Sequence, residues 1–359
     1  MEYNNTHLLI AVLDWGWGHA HRCVPIIEES LAKGYRLTLA SGAEVLKRLH
    51  TIFPEVETLE LPTYKGQYRW NNMAMNIAMK SPALIEALEA EQEILKRQHQ
   101  ITPFDAVISD GRYGCFLKDC PSFFLSHQVH LKGRKKLTET MANTVHRQWM
   151  NSFDEVWVPD FAFPPGIGSH ISHDSEQRNY RFIGPLSRFR KALPVDEELT
   201  YDWLFFLYGP EPARLELEEQ LFQMAQEQTH RRFMFVTPGP PKINVKNAPH
   251  IFHLTHPADE ELQQLVKSSQ RILCRSDFFH LSDLSIWQRT ASLIPTPGYP
   301  EQLYLADFYA QHYLWPVCMQ SELKDFGQLE DLPSPKTLPA GESSGNLDAL
   351  FARLEQYPI

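Results

Sequence analysis

The sequence predicts two doubly wound α/β domains, each built on a parallel sheet, facing each other across a cleft. Three observations carry that prediction. The 359 residues are too many for one ordinary α/β layer and suit two domains. Apolar strand-like runs alternate with helical periodicity over residues 8–183. The alternation then restarts near residue 203, after a polar, Pro-containing stretch at 188–199 that reads as a linker. The expected boundaries are 1–190 for the first domain and 191–344 for the second, with a terminal helix in 345–359 crossing back to the first.

Composition narrows the class. The chain is 43% apolar and 12% aromatic, enough for real cores. Its net charge of −10, from 34 basic and 44 acidic residues, argues against general nucleic-acid binding. One basic run, Lys132-Gly133-Arg134-Lys135-Lys136, stands against that background and raises the expectation of a weak peripheral contact with an anionic membrane, although short charge runs are usually solvated faces. Five scattered cysteines without a CxxC pair, no signal-peptide pattern and no apolar run near the roughly 20 residues of a membrane span predict a soluble, cytoplasmic protein.

The first strand is expected at 8–13, followed by the loop Asp14-Trp15-Gly16-Trp17-Gly18-His19-Ala20-His21 and a helix from Pro25 to Ala32 closed by Gly34. Residues 35–40 form the next strand, 42–53 an amphipathic helix and 56–61 a third strand. The Tyr-, Trp-, Asn- and Met-rich stretch 64–79 lacks periodicity and reads as an aromatic loop or as packing. Ser81-Pro82 opens a long helix to Gln98, with Ser as N-cap and Pro at the first helical position. Strands at 104–109, 122–125, 153–159 and 180–183 complete the first domain, with a basic helix at 134–150. The second has strands at 203–208, 232–236, 250–253, 271–274 and 292–294, with helices at 213–227, 259–268, 281–289 and 300–310. A loose, Pro-rich segment at 323–344 precedes the terminal helix at 347–356.

In open α/β sheets ligands bind at the carboxyl edge, where these loops lie. Gly16-x-Gly18-x-x-His21 departs from the dinucleotide fingerprint, because His21 replaces the third glycine and Ala40-Ser41 replaces the acidic residue after the second strand. Trp15 and Trp17 suit a wall against a ring or apolar chain, or simple core packing. His19, just before the helix, and Asp110, at the end of a later strand, share that edge. A histidine oriented by a carboxylate is a workable general base, though both residues also suit capping and turn roles. His127-x-x-His130 has no third ligand nearby, and the chain contains no Asp-x-Asp pair, so no metal site is expected.

Two junctions matter in the second half. Tyr208-Gly209-Pro210-Glu211-Pro212 leads into a helix with Arg214 in its first turn, and Cys274-Arg275-Ser276-Asp277 leads towards the helix carrying Ser282 and Asp283. Amide groups at such helix starts can hold a diphosphate, and Asp283 suits ribose hydroxyls. Ser276, Asp277 and Ser282 equally suit helix caps. Pro295-Thr296-Pro297-Gly298-Tyr299-Pro300 is a stiff turn that aims Glu301 and Gln302 at the same edge.

Together these residues resemble the GT-B glycosyltransferases, and most closely the branch of the peptidoglycan N-acetylglucosaminyltransferase. Gly16-Trp17-Gly18-His19 followed by Pro25 resembles that family's N-terminal glycine loop. The loop at Tyr208-Gly209-Pro210-Glu211-Pro212 resembles its donor-side loop, and Cys274-Arg275-Ser276 with Ser282-Asp283-Leu284 its donor-sugar signature. Ile294-Pro295-Thr296-Pro297-Gly298 with Glu301-Gln302 resembles the segment that contacts the donor sugar. The resemblance implies two Rossmann-like domains and inverting, metal-independent transfer of a hexose or N-acetylhexosamine from a UDP-sugar to a hydroxyl acceptor. No cofactor is implied beyond that co-substrate. His19 and Asp110 would be catalytic. Asp14, Trp15, Gly16, Trp17, Gly18 and His127 would bind the acceptor. Gly209, Pro210, Glu211, Arg214, Arg275, Ser276, Asp283, Gly298, Glu301 and Gln302 would bind the donor. The rival readings are a UDP-sugar epimerase or hydrolase on the same fold, and a non-catalytic nucleotide-sugar-binding relative, suggested by the bulk and charge of Asp277-Phe278.

Overall fold

The computed structural model describes residues 6–63, 73–79, 81–173, 179–189, 199–240, 248–330, 335–339 and 343–357. Its chain forms two compact units, Met1–Arg190 with Gly341–Ile359, and Lys191–Ala340. Residues 190–198 of the expected linker and 64–72 of the expected aromatic loop lie outside the described residues.

The first unit runs β1 (His7–Val12), α1 (Trp17–Ala32), β2 (Arg36–Ser41), α2 (Ala43–Ile52), β3 (Glu57–Glu60), α3 (Met73–Ala78), α4 (Pro82–Ile101), β4 (Ala106–Asp110), β5 (Ser122–Leu125), α5 (Lys136–Met150), β6 (Glu155–Val158) and β7 (Tyr180–Phe182). Its parallel sheet has the order β3-β2-β1-β4-β5-β6-β7. The direction of winding reverses between β1 and β4, whose register pairs Val12 with Asp110. Loops leaving these two strands therefore diverge at the switch point, where such sheets bind ligands. β1, β4 and β5 are buried along their whole length, which is why they read as unbroken apolar runs.

Two elements of the first unit differ from expectation. α1 begins at Trp17 rather than Pro25, so Pro25 lies inside the helix. A proline there forgoes one helical hydrogen bond. The two added turns compensate by burying Ala20 and Cys23 in the same core as Leu8, Ile10 and Ile26. Residues 73–78 form α3, because Ala74 and Ile77 pack with Leu84, Ala142 and Val145. Six residues are too few to show a helical period in the sequence. Ser81 caps α4 as expected, its hydroxyl accepting from the Leu84 amide at 3.4 Å.

The second unit runs β8 (Tyr201–Phe206), α6 (Ala213–Gln226), β9 (Phe233–Thr237), β10 (Ile251–Thr255), α7 (Asp259–Lys267), β11 (Ser269–Cys274), α8 (Phe278–Trp287), β12 (Ser292–Leu293), α9 (Pro300–Tyr313) and α10 (Gly327–Glu330). Its parallel order β10-β9-β8-β11-β12 reverses between β8 and β11, again placing two loops at a switch point. Phe205, Phe233, Phe235 and Phe326 form an aromatic centre beneath the sheet.

The last helix, α11 (Ser343–Leu354), belongs to the first unit: Leu347, Leu350, Phe351 and Leu354 complete the core of β1, β2 and α1. Arg353 ties it to β6 by donating to Glu155 Oε1 at 2.6 and 2.8 Å, while Arg181 donates to the same carboxylate at 3.1 and 3.2 Å. Burial alone would push the Glu155 carboxyl up, but its bonds to Arg353, Arg181 and Trp157 hold it at about 2. A carboxyl depressed in the folded state contributes fully above its unfolded pKa, and that contribution fades as pH falls towards the folded value. Between about pH 4.5 and 2 the protein should therefore lose stability, and Arg353→Gln should flatten that dependence. Urea midpoints at pH 7, 4.5 and 3 test it, and parallel curves for the two proteins would refute the role of the tie.

Candidate active site

At the switch point of the first sheet, β1 ends at Val12, and the amide of the next residue, Leu13, donates to the Asp110 carbonyl at 3.0 Å. The chain then turns through Gly16, whose φ of +81° favours glycine, and enters α1 at Trp17. This places His19 in the first turn of the helix, not ahead of it. Asp110 and Gly111 close the neighbouring strand, and Gly111 also needs its glycine (φ +73°), leaving the His19 ring beside it.

His19 and Asp110 come together as the sequence suggested: Nδ1 of His19 lies 3.1 Å from Asp110 Oδ2. The sequence reading missed Arg22. One turn after His19, it donates to the other carboxylate oxygen of Asp110, and its Nη1 donates to His127 Nδ1 at 2.9 Å. Its Nη2 also lies 3.3 Å from His19 Nδ1. Cys23 adds its thiol to Asp110 Oδ2 at 3.5 Å. Burial would push the Asp110 carboxyl up, but Arg22 first and His19 second draw it down to about 2. The same burial, with Asp110 beside it, pushes the Cys23 thiol well up, leaving it a hydrogen-bond donor rather than a nucleophile. His19 and Arg22 are three apart on one helix, a spacing that shares a face, so an earlier helix start is the signal that would have revealed the pair.

His127 lies on the loop after β5, braced from behind by the Ser172 hydroxyl, which donates to its carbonyl at 3.0 Å. It is therefore part of the Arg22 network. Its sequence neighbour in the H-x-x-H motif, His130, instead meets Glu139 at 3.1 Å.

The remaining acceptor-side residues are distributed differently from expectation. Asp14 turns its carboxylate inwards, 3.1 Å from Arg112 Nη2, and its side chain is only 5% exposed. A Cβ on Gly42 would come within 2.5 Å of that carboxylate. Arg112 also donates to Glu91 at 2.5 Å and to the Val12 carbonyl at 2.7 Å, so Asp14 anchors the loop instead of facing a ligand. Trp15 packs on the cluster of Leu13, Ile77 and Leu131. Trp17 packs on the main core, with the Arg48 guanidinium 4.5 Å above its ring. Both tryptophans are half-buried, with one face on the core. Gly16 is exposed and Gly18 partly so, at the open start of the helix, which has no side-chain cap.

In the second unit the loop at Gly209-Pro210-Glu211 follows β8, and Arg275-Ser276-Asp277 follows β11. Gly209 adopts φ +136°, a conformation that needs glycine, and is exposed with Glu211. Arg275 is buried beneath it. Its guanidinium donates only to backbone carbonyls among the described residues, those of Ala213 (3.0 Å), Ile294 (3.1 Å) and Pro295 (3.5 Å). Burial draws Arg275 down to about 10, the mark of a cation without a bound carboxylate. Arg214, by contrast, is neutralised by Glu218 at 2.9 Å and Glu211 at 2.5 Å, so it is no spare cation.

Ser276 and Gln302 are turned inwards. The Ser276 hydroxyl donates to the Gln302 carbonyl at 2.8 Å, and the Gln302 side-chain oxygen accepts from the Thr296 amide at 2.8 Å. Gly298, Glu301 and Asp283 are partly exposed. Asp277 caps α8 by accepting from the His280 amide at 3.1 Å, and the His280 ring donates to it at 2.5 Å. Burial would lower His280 and raise Asp277, but each reverses the other, so the imidazole is raised and the carboxyl lowered. The first turn of α8 thus already holds an anion of the chain's own. Ser282 lies within α8 and caps nothing. By comparison, α6 starts without a side-chain cap at Pro212, three residues beyond Gly209.

No protein-family model and no curated protein sequence matches the chain. Its fold has solved counterparts. CalG4, the calicheamicin glycosyltransferase, matches with a TM-score of 0.68 at 12% identity, over 99% of this chain and 100% of that one. UGT89C1 of Arabidopsis thaliana, solved with UDP-L-rhamnose, matches at 0.65 and 12% identity, over 98% and 99%. MurG of Acinetobacter baumannii matches at 0.56 and 14% identity, over 98% and 95%. The protein therefore has the GT-B fold of the glycosyltransferases, in both units.

Proposed function

We propose that the protein is a glycosyltransferase that moves a hexose or N-acetylhexosamine from a UDP-sugar to an acceptor hydroxyl, inverting the anomeric centre without a metal. The observation that carries this reading is the buried His19–Asp110 pair at the switch point of a GT-B first unit. His19 donates Nδ1–H to Asp110, which leaves the Nε2 lone pair to take the hydroxyl proton. As that proton leaves, the oxygen bonds to the anomeric carbon and the bond from that carbon to the diphosphate oxygen breaks. UDP departs with the bonding electrons. On the donor side, the uncapped start of α6 beside Gly209 is the favoured diphosphate cradle, with the buried Arg275 charge beneath it. A UDP-linked donor accords with the UDP-L-rhamnose bound by the Arabidopsis counterpart.

A second reading, a non-catalytic relative, is favoured by one feature: Asp277 already occupies the start of α8. A thermal-shift panel of UDP, GDP, CMP, NAD and UDP-sugars separates the two, because a ligand that binds only the folded chain raises its apparent stability. UDP and a UDP-sugar should raise the melting temperature, and no shift with any nucleotide would refute the transferase reading. Asp277→Asn keeps the cap but removes a negative charge, so UDP should bind about 3- to 10-fold more tightly. Unchanged or weaker binding would mean that the diphosphate does not approach α8.

A further inference from the structure

We infer that Arg22 divides labour between two histidines, fixing His19 as the proton acceptor at Nε2 and His127 as a hydrogen-bond donor at Nε2 towards an oxygen of the acceptor. The inference rests on the transferase reading for its chemical meaning, but the tautomers themselves follow from the hydrogen bonds alone.

A guanidinium has five N–H donors and no acceptor. Arg22 Nη1 meets His127 Nδ1 at 2.9 Å, so that nitrogen must present its lone pair. The one proton of a neutral His127 then resides on Nε2. Protonating Nδ1 as well would set one cation against another in a buried site, where His127 is 5% and Arg22 2% exposed. The opposite holds for His19. Its Nδ1 faces Asp110 Oδ2 at 3.1 Å. With Arg22 on the second oxygen, Asp110 remains a carboxylate and only accepts. A lone pair on His19 Nδ1 would oppose it, so Nδ1 carries the proton and Nε2 the lone pair. Arg22 Nη2 also stands 3.3 Å from His19 Nδ1, but the nearer Asp110 carboxylate decides that nitrogen's proton. Acting directly on His127 and through Asp110 on His19, Arg22 thus selects opposite tautomers in two chemically identical side chains.

Arg22 and Cys23 come from α1 and Asp110 from β4, and the Gln128 amide stands 3.5 Å from His127 Nε2, where the assignment requires it to present its oxygen as acceptor. The substrate consequence is specific. An acceptor that uses both imidazoles carries a hydrogen-bond-accepting oxygen (a carbonyl, ether or second hydroxyl) near the hydroxyl that is glycosylated.

Long-range proton–nitrogen correlation spectra of the 15N-histidine-labelled wild-type protein test the tautomers without any assay of transfer. His19 should show a protonated Nδ1 and a bare Nε2, and His127 the reverse. The same tautomer at both residues would overturn the proposal. The double variant Arg22→Met/Asp110→Asn removes the guanidinium without leaving an unpaired buried carboxylate, and its His127 signals should shift to a mixture of tautomers. A His127 still held entirely as Nε2–H would also overturn it. In kinetics, Arg22→Met should raise the acceptor KM and lower kcat at least 10-fold, with the UDP-sugar KM unchanged. A selective rise in the UDP-sugar KM would count against the proposal. Correct tautomers in a wild-type protein that transfers no sugar would leave the Arg22 assignment standing and remove the transferase reading.

Discussion

His19→Ala should abolish transfer while leaving UDP binding intact. A positioned general base contributes about 10²- to 10⁴-fold to a rate, and no other described side chain in the site combines a lone pair with a carboxylate brace in this way. The variant is a clean probe because it strands no buried charge: removing the imidazole leaves Asp110 still held by Arg22. Asp110→Ala would be a poorer test, since it leaves the Arg22 guanidinium buried without its carboxylate. The measurement is turnover of a radiolabelled UDP-sugar beside UDP affinity from calorimetry. Turnover within threefold of wild type would remove His19 from the mechanism.

Arg112→Met should have the largest effect on stability, about 3–5 kcal/mol, because breaking a buried ion pair strands the charges left behind. Here two carboxylates depend on one guanidinium: Glu91 is fully buried and the Asp14 side chain is only 5% exposed. The loss is read from urea denaturation. The double variant Glu91→Gln/Arg112→Met should recover part of it, since one stranded charge is gone. A single variant within 1 kcal/mol of wild type would show that the cluster does not hold the first loop. Because Arg112 also donates to the Val12 carbonyl, the variant should slow transfer even where the chain remains folded, by loosening the turn that leads to His19.

Both sheets are legible in the sequence because parallel strands covered on two faces read as short apolar runs, and turn residues separate them. That His19 and Asp110 share a carboxyl edge is legible, since each ends or follows a strand; that they meet at a switch point comes from the pairing of β1 with β4, which the order of strands along the chain does not dictate. The rest depends on long-range packing that spacing does not encode. Pro25 suggests a helix start, and only the burial of Ala20 and Cys23 moves that start back to Trp17. With the start misplaced, Arg22 reads as a loop residue instead of the partner of three site groups. Asp14, Arg214 and Gln302 have the right chemistry at the right edge. Whether such side chains face a ligand or a neighbour depends on Arg112, which reaches Asp14 from the loop after β4, and on the nearer partners Glu218, four residues on along the helix of Arg214, and Thr296, six residues before Gln302.

The return of α11 to the first unit has a bearing on how the chain is made. Leu347, Leu350, Phe351 and Leu354 lie in the same core as Leu8 and Ile10, so this layer is closed by residues synthesised after the whole of the second unit. During translation the second unit has all its strands while the first still lacks its final helix, leaving apolar surface around Tyr35 and Ile27 uncovered. The first unit is therefore completed only after the second has been made. Until α11 arrives, that apolar face is the kind of surface through which incomplete domains associate.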